Sequence, residues 1–167
     1  MFIVCWLMEQ KILIFKILIL FFFMINSSAL TQEIIEGNVK VIDGDTIHNG
    51  KNKIRLHGID APERKQKCFF LDNEWNCGEE SKVNLINLIN LKKINCKIID
   101  KDKYDRYIAE CYINKININK WMVKNGWALA YKYYSKKYVS EEKYAKNNKL
   151  GIWKGEFEKP WDYRKKN

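Results

Sequence analysis

Four carboxylates and an arginine fall within twenty-one residues of this 167-residue chain, in Asp43-Gly44-Asp45-Thr46 and then Arg55-Leu56-His57-Gly58-Ile59-Asp60-Ala61-Pro62-Glu63. Oxygen donors at that density suit a hard divalent cation, and phosphoryl transfer asks for cationic donors on the equatorial oxygens. A carboxylate positioned beside such a cation can activate water for attack on phosphorus. Taken singly, each residue has a plainer reading. Asp and Gly are common in turns, and charged residues usually lie on solvated faces. Asp60 and Glu63, three apart around Pro62, fit a rigid turn that presents both carboxylates.

Strands must position these groups. Apolar and polar residues alternate from Glu33 to Leu56, which puts Arg55 on the face opposite Ile54 and Leu56. Asp43-Gly44-Asp45 reads as a turn or bulge, Asn49-Gly50 as a tight hairpin, and Pro62 ends the third strand. Cys77-Gly78-Glu79-Glu80 opens a helix through Leu91, whose apolar face is Val83, Ile86 and Ile89 flanked by Leu85 and Leu88. A second hairpin joins Ile94–Lys101 to Arg106–Ile113 through Asp102-Lys103-Tyr104-Asp105. A short helix over Ile118–Asn125 ends at Gly126, and Ser140 caps a last helix reaching about Asn148. The tail from Lys159 is charged and is expected to be loose. With no internal repeat and no linker, one α+β domain is predicted, mainly a small five-stranded barrel with about three packed helices.

Residues 1–29 read as a signal peptide. The run Ile12–Ile25 is apolar apart from Lys16, and Asn26-Ser27-Ser28-Ala29 offers small residues at the −3 and −1 positions of a cleavage site. Met1 to Met8 lacks a basic residue, so a start at Met8 gives the more ordinary leader; a membrane anchor is the competing reading. The domain is then 30–167. It carries 28 basic against 19 acidic residues, a net +9 that suits a polyanionic partner, although solubility or proteome-wide composition would also account for it. Four cysteines remain after the leader, an even number that suggests two disulfides in an exported chain. If the second hairpin has a four-residue loop, Lys101 faces Arg106 and Cys96 faces Cys111, leaving Cys68 to pair with Cys77. A zinc site is the weaker competitor, because neither spacing is a C-x-x-C knuckle. His48 and His57 read as surface residues, and the tryptophans Trp121, Trp127 and Trp153 as core.

In combination, Asp-Gly-Asp-Thr, Arg-x-x-Gly-Ile-Asp-x-Pro-Glu and Asp-Lys-Tyr-x-Arg resemble the staphylococcal nuclease family from about Glu36 to Trp153, with a core of about 36–155. The resemblance implies an OB-fold barrel and a Ca²⁺-dependent nuclease acting on DNA and RNA, with 3′-phosphate products. It assigns Asp45, Asp60 and the Ala61 carbonyl to the metal, and Glu63 to the attacking water. Arg55 and Arg106 would meet charge on phosphorus, where a planar fork holds two oxygens at once. Lys103 and Tyr104 would hold a terminal phosphate, and Tyr131 with Tyr133 or Tyr134 would flank a nucleotide. Asp105 departs from the glycine usual before the arginine, but Asp tolerates left-handed backbone. It also sets a carboxylate beside Arg106. A periplasmic or secreted monomer without stable membrane association follows from the leader and the family. The competing class is a non-catalytic nucleic-acid-binding OB module.

Overall fold

Strand order explains why the main sheet curls shut. The structure, a computed structural model, describes residues 14–17 and 32–166. In chain order the strands and helices begin with β1 (Ile34–Gly37), β2 (Lys40–Val41), β3 (Thr46–Asn49), β4 (Asn52–Leu56), β5 (Ile59–Asp60), β6 (Cys68–Phe70) and β7 (Asn73–Trp75). There follow α1 (Cys77–Ile89), β8 (Ile94–Lys101), β9 (Tyr107–Ile113), β10 (Ile116–Asn117), α2 (Ile118–Lys124), β11 (Leu129–Ala130) and α3 (Val139–Asn147). A 3₁₀ turn at Gly151–Lys154, β12 (Glu156–Phe157) and α4 (Pro160–Lys166) complete the chain. The main sheet runs β1-β8-β9-β4-β3-β2, with β10 added on β9. Its two end strands, β1 and β2, are separated in the chain only by Asn38 and Val39, so the sheet must wrap round. Counted as one bent strand, β1 and β2 join β3, β4, β8 and β9 in the five-stranded barrel of the OB type. The β4–β9 pair is parallel, with Ile54 opposite Tyr107. Inside lie Ile35, Val41, Ile47, Ile54, Leu56, Ile94, Ala109 and Ile113, all buried.

The second hairpin reaches the expected cysteine pairing by a different route. Lys101 faces Tyr107, not Arg106, so the loop is one residue longer than the alternation predicts. A bulge between Ile98 and Asp100 absorbs the extra residue and restores Cys96 opposite Cys111. Cys96–Cys111 and Cys68–Cys77 are both disulfides. The latter ties the small β12-β6-β7 sheet to the start of α1.

Three local expectations are corrected. The buried stripe of α1 is Cys77, Ser81, Leu85 and Ile89, while Val83 and Ile86 face solvent. The disulfide at Cys77 and the bond from Ser81 Oγ to the Trp127 carbonyl (2.7 Å) fix the helix's rotation at its first turn. Ser140 does not cap α3, which starts one residue earlier; its hydroxyl donates to Glu141 instead. The tail is not loose: α4 forms, with Pro160 buried at its first position, where its missing N–H is no loss. Trp161 packs on a second small core with Cys68, Cys77, Leu129 and Ile152. Trp121 and Trp127 pack against the main core and Trp153 against the second. The described residues from Gln32 onward form one compact unit. The expected leader boundary at Ala29 lies outside the described residues. Among those described, no helix is long and apolar enough to cross a membrane.

Candidate active site

The turn before β3 is built for close approach. Asp43 accepts the Asp45 N–H (3.0 Å), closing the turn, and a Cβ on Gly44 would collide with Ser81 of α1 and with Ala61. Asp45 is thereby pressed into the barrel end, 4% exposed. Its Oδ2 accepts the Ala61 N–H (2.9 Å), while its Oδ1 accepts from the Thr46 hydroxyl (3.0 Å) and from Arg55 Nη1 (2.7 Å). Arg55 reaches it because Thr46 and Arg55 are cross-strand partners in the β3–β4 ladder. The second arm of the same guanidinium donates to Asp60 Oδ1 (2.5 Å). Asp60 is fully buried on β5, which pairs with β11 so that Leu129 lies opposite it and Tyr131 follows directly.

Burial of so many carboxylates shows in their protonation. Asp43 is pushed up to about 7, by desolvation first and by the neighbouring Asp45 charge second. Asp60 is raised as well, again chiefly by burial, against the pull of nearby guanidinium groups. Burial alone would lower Arg55, but Asp45 and Asp60 hold it above its ordinary value.

A cleft of about 520 Å³ opens over these groups. Of the residues expected at the site, Arg55, Glu63, Arg106, Tyr104 and Tyr131 line it. Tyr134, not Tyr133, is the second tyrosine there, edge-on to Tyr131 at 5.2 Å. Lys103 lines an adjoining groove, its amine 5.0 Å from the Tyr104 ring centroid. Glu63 is held from behind, since its N–H donates to Gln66 Oε1 (3.1 Å). Arg106 leans on Asp102, donating from Nε (2.8 Å) and Nη2 (2.7 Å) to the same carboxylate oxygen. Asp105 takes the left-handed backbone, φ +63°, that its place before Arg106 requires. Its carboxylate pairs with Lys101 at 2.5 Å, so the acid that restrains Arg106 is Asp102.

One site residue escapes sequence reasoning. Arg164, on α4, donates from Nη1 to Asp60 Oδ1 (3.0 Å) and Glu63 Oε1 (2.7 Å), and from Nη2 to Asp60 Oδ2 (2.8 Å). Nothing near it in the chain resembles a motif. The only available signal was Pro160 followed by an aromatic and by Asp162, a helix start in a segment otherwise rich in lysine.

The donor set fits a hard cation. Asp45 and Asp60 supply carboxylate oxygens, and the Ala61 carbonyl is adjacent in the chain. Among the described residues no three carboxylate, imidazole or thiolate groups converge on one point. A cation here would therefore rest on two aspartates, with a backbone carbonyl and water completing its shell.

A model of the family described as "Staphylococcal nuclease homologue" matches residues 53–155. A rice protein (Oryza sativa subsp. japonica) named "Probable staphylococcal-like nuclease CAN2" is 34% identical over 145 residues, covering 84% of this chain and 37% of its own length. A Haemophilus influenzae protein named "Uncharacterized endonuclease" is 34% identical over 154 residues, covering 88% of this chain and 80% of its own. The Rhizobium meliloti "Succinoglycan biosynthesis protein ExoI" is 31% identical over 139 residues, covering 80% and 72%. The chain thus spans little more than a third of the rice relative's length but most of the two bacterial ones. The match takes in Arg55, Asp60, Glu63 and Arg106, and on these grounds the chain belongs to the staphylococcal nuclease homologue family.

Proposed function

We propose that this protein is an exported, Ca²⁺-dependent nuclease that hydrolyses DNA and RNA phosphodiester bonds with little sequence preference and leaves 3′-phosphates. The observation that carries the reading is the convergence of Arg55, Asp60, Glu63 and Arg106 around one cleft, in a chain of this family. Asp45 and Asp60, with the Ala61 carbonyl, would hold the cation, which when bound supplies charge stabilisation to a phosphoryl oxygen. Glu63 takes a proton from water as the water oxygen bonds to phosphorus. The bond from phosphorus to the 5′ oxygen breaks, and that oxygen leaves with the electron pair and is protonated from solvent. Arg55 and Arg106 meet the charge gathering on the phosphoryl oxygens. Tyr131 and Tyr134 border the cleft as faces for a base. Phosphate contacts supply affinity without reading sequence.

One observation favours the non-catalytic binding module: Glu63 and both Asp60 oxygens are already engaged by arginine. Hydrolysis of single-stranded DNA by protein from Leu30 onward, with Ca²⁺ and with EDTA, beside Glu63→Gln, separates the two. Cleavage that needs Ca²⁺ and falls by about 10²–10⁴ in the variant supports the enzyme. Salt-sensitive binding without cleavage by either protein supports the module.

A further inference from the structure

The guanidinium of Arg164 stands where the proposed cation must act. Asp60 is fully buried and has two oxygens; Oδ1 accepts from both Arg55 and Arg164, and Oδ2 accepts from Arg164. A divalent ion that takes Asp60 as a ligand needs one of those oxygens. It cannot share close quarters with a second positive group on the same carboxylate without repulsion. The two arginines differ in how they are held. Arg55 sits on β4 between its ladder partners Thr46 and Ile108, its side chain 17% exposed and bridging Asp45 and Asp60. Arg164 projects from a seven-residue helix at the chain's end and is 36% exposed. Of the two, Arg164 is the one that can withdraw.

Its delivery to the site is not casual. The fully buried Gln66 accepts the Glu63 N–H and donates Nε2 to the Glu158 carbonyl (2.6 Å), so one side chain sets both Glu63 and the stretch that enters α4. Trp161 stacks on Tyr131 with ring centroids 5.5 Å apart. Buried Pro160 fixes the start of the helix. Three independent contacts therefore aim Arg164 at Asp60 and Glu63.

We propose that Arg164 is the resident counter-cation of the metal-free site, competing with the divalent ion for Asp60, so that the C-terminal helix sets the protein's affinity for its metal. The inference rests on the metal reading above. Metal entry displaces the guanidinium from Asp60. A neighbouring charge at hydrogen-bond distance changes a carboxylate's affinity for a proton by roughly one to three powers of ten, and the same order applies to a competing cation.

The test is calorimetric titration of Ca²⁺ into the protein and into Arg164→Gln and Arg164→Lys, with circular dichroism to confirm that each is folded. Arg164→Gln should bind Ca²⁺ about tenfold or more tightly than the wild type. Arg164→Lys keeps a charge but cannot span Asp60 and Glu63, and should fall between. If Arg164→Gln does not fold without metal, Arg164→Lys decides alone: tighter binding supports competition, and equal or weaker binding overturns it. Equal or weaker binding in a folded Arg164→Gln also overturns it, and then Arg164 supports the site instead of contesting it. Equal binding beside Ca²⁺-dependent cleavage sinks only this inference. Absence of Ca²⁺ uptake by every protein sinks the metal reading, and this one with it.

Discussion

Glu63 is placed partly by a residue with no side chain. An added Cβ on Gly78, the second residue of α1, would strike the Glu63 carbonyl oxygen and the Arg64 backbone. Alanine is the better helix former by about 1 kcal/mol. At this position, however, either the helix start or Glu63 must retreat, at roughly 1–3 kcal/mol of overpacking. Gly78→Ala is expected to lower kcat by about 10²-fold, since a shift of about 1 Å in a positioned group has that effect. Steady-state kinetics beside a urea unfolding curve would check it, and a stable variant with wild-type kcat would show that the contact does not position Glu63. The grouping of side chains around Glu63 was legible because Arg55, Asp60 and Glu63 lie close in sequence, with proline and glycine marking the turns. Arg164 was not legible, because its partners lie a hundred residues upstream and only the packing of Trp161 and the Gln66–Glu158 bond bring it there.

Elements were easier to foresee than their registers. The β8–β9 hairpin shows why: alternation cannot reveal a bulge, so the loop length and the bulge were both missed, and their effects cancelled at Cys96 and Cys111. In α1 the broad apolar face left the rotation undetermined until tertiary contacts at Cys77 and Ser81 chose it. The junction of hairpin, β4 and α2 depends on a residue with no pattern at all. Asn119 is fully buried; its amide donates to the carbonyls of His57 (2.9 Å) and Ala109 (3.1 Å), and its oxygen accepts the Cys111 N–H (3.1 Å). It thus ties α2 to the strand beside Cys111 and to the chain leaving β4 toward Asp60. Asn119→Ala leaves those backbone groups without this partner, where water is excluded. A loss of about 2–3 kcal/mol is expected from urea denaturation. A loss under about 0.5 kcal/mol would mean that the backbone re-pairs without the side chain.

Across the whole molecule, charge is the property that a substrate would meet first. The +9 of the predicted mature chain was legible from composition, but not where it gathers. Beside the cleft that Glu63 and Arg106 line, and sharing Tyr131 with it, lies a groove of about 580 Å³ rimmed by Lys132, Lys146, Lys159 and Lys165. Trp161 forms an aromatic wall of that groove, and Lys159 stands 5.6 Å from its ring centroid. Glu142 is the acid among the lining residues, and Lys132 already pairs with it at 2.7 Å. Lys165 pairs with Asp162 at 3.1 Å, so a single strand leaving the cleft past Tyr131 would find stacking surface together with the positive charge of Lys146 and Lys159 on this side. Binding of a short single-stranded oligonucleotide to the Glu63→Gln protein should therefore weaken linearly in log–log form as salt rises. The slope should be about −0.7 for each phosphate neutralised. Replacing Lys146 and Lys159 with Gln should make that slope shallower by about 0.7 per lysine, while an oligonucleotide of different sequence shows the same change. Fluorescence anisotropy over a salt series measures it directly. An unchanged slope would mean that the strand leaves the cleft by the opposite side, past Lys103 and Tyr104.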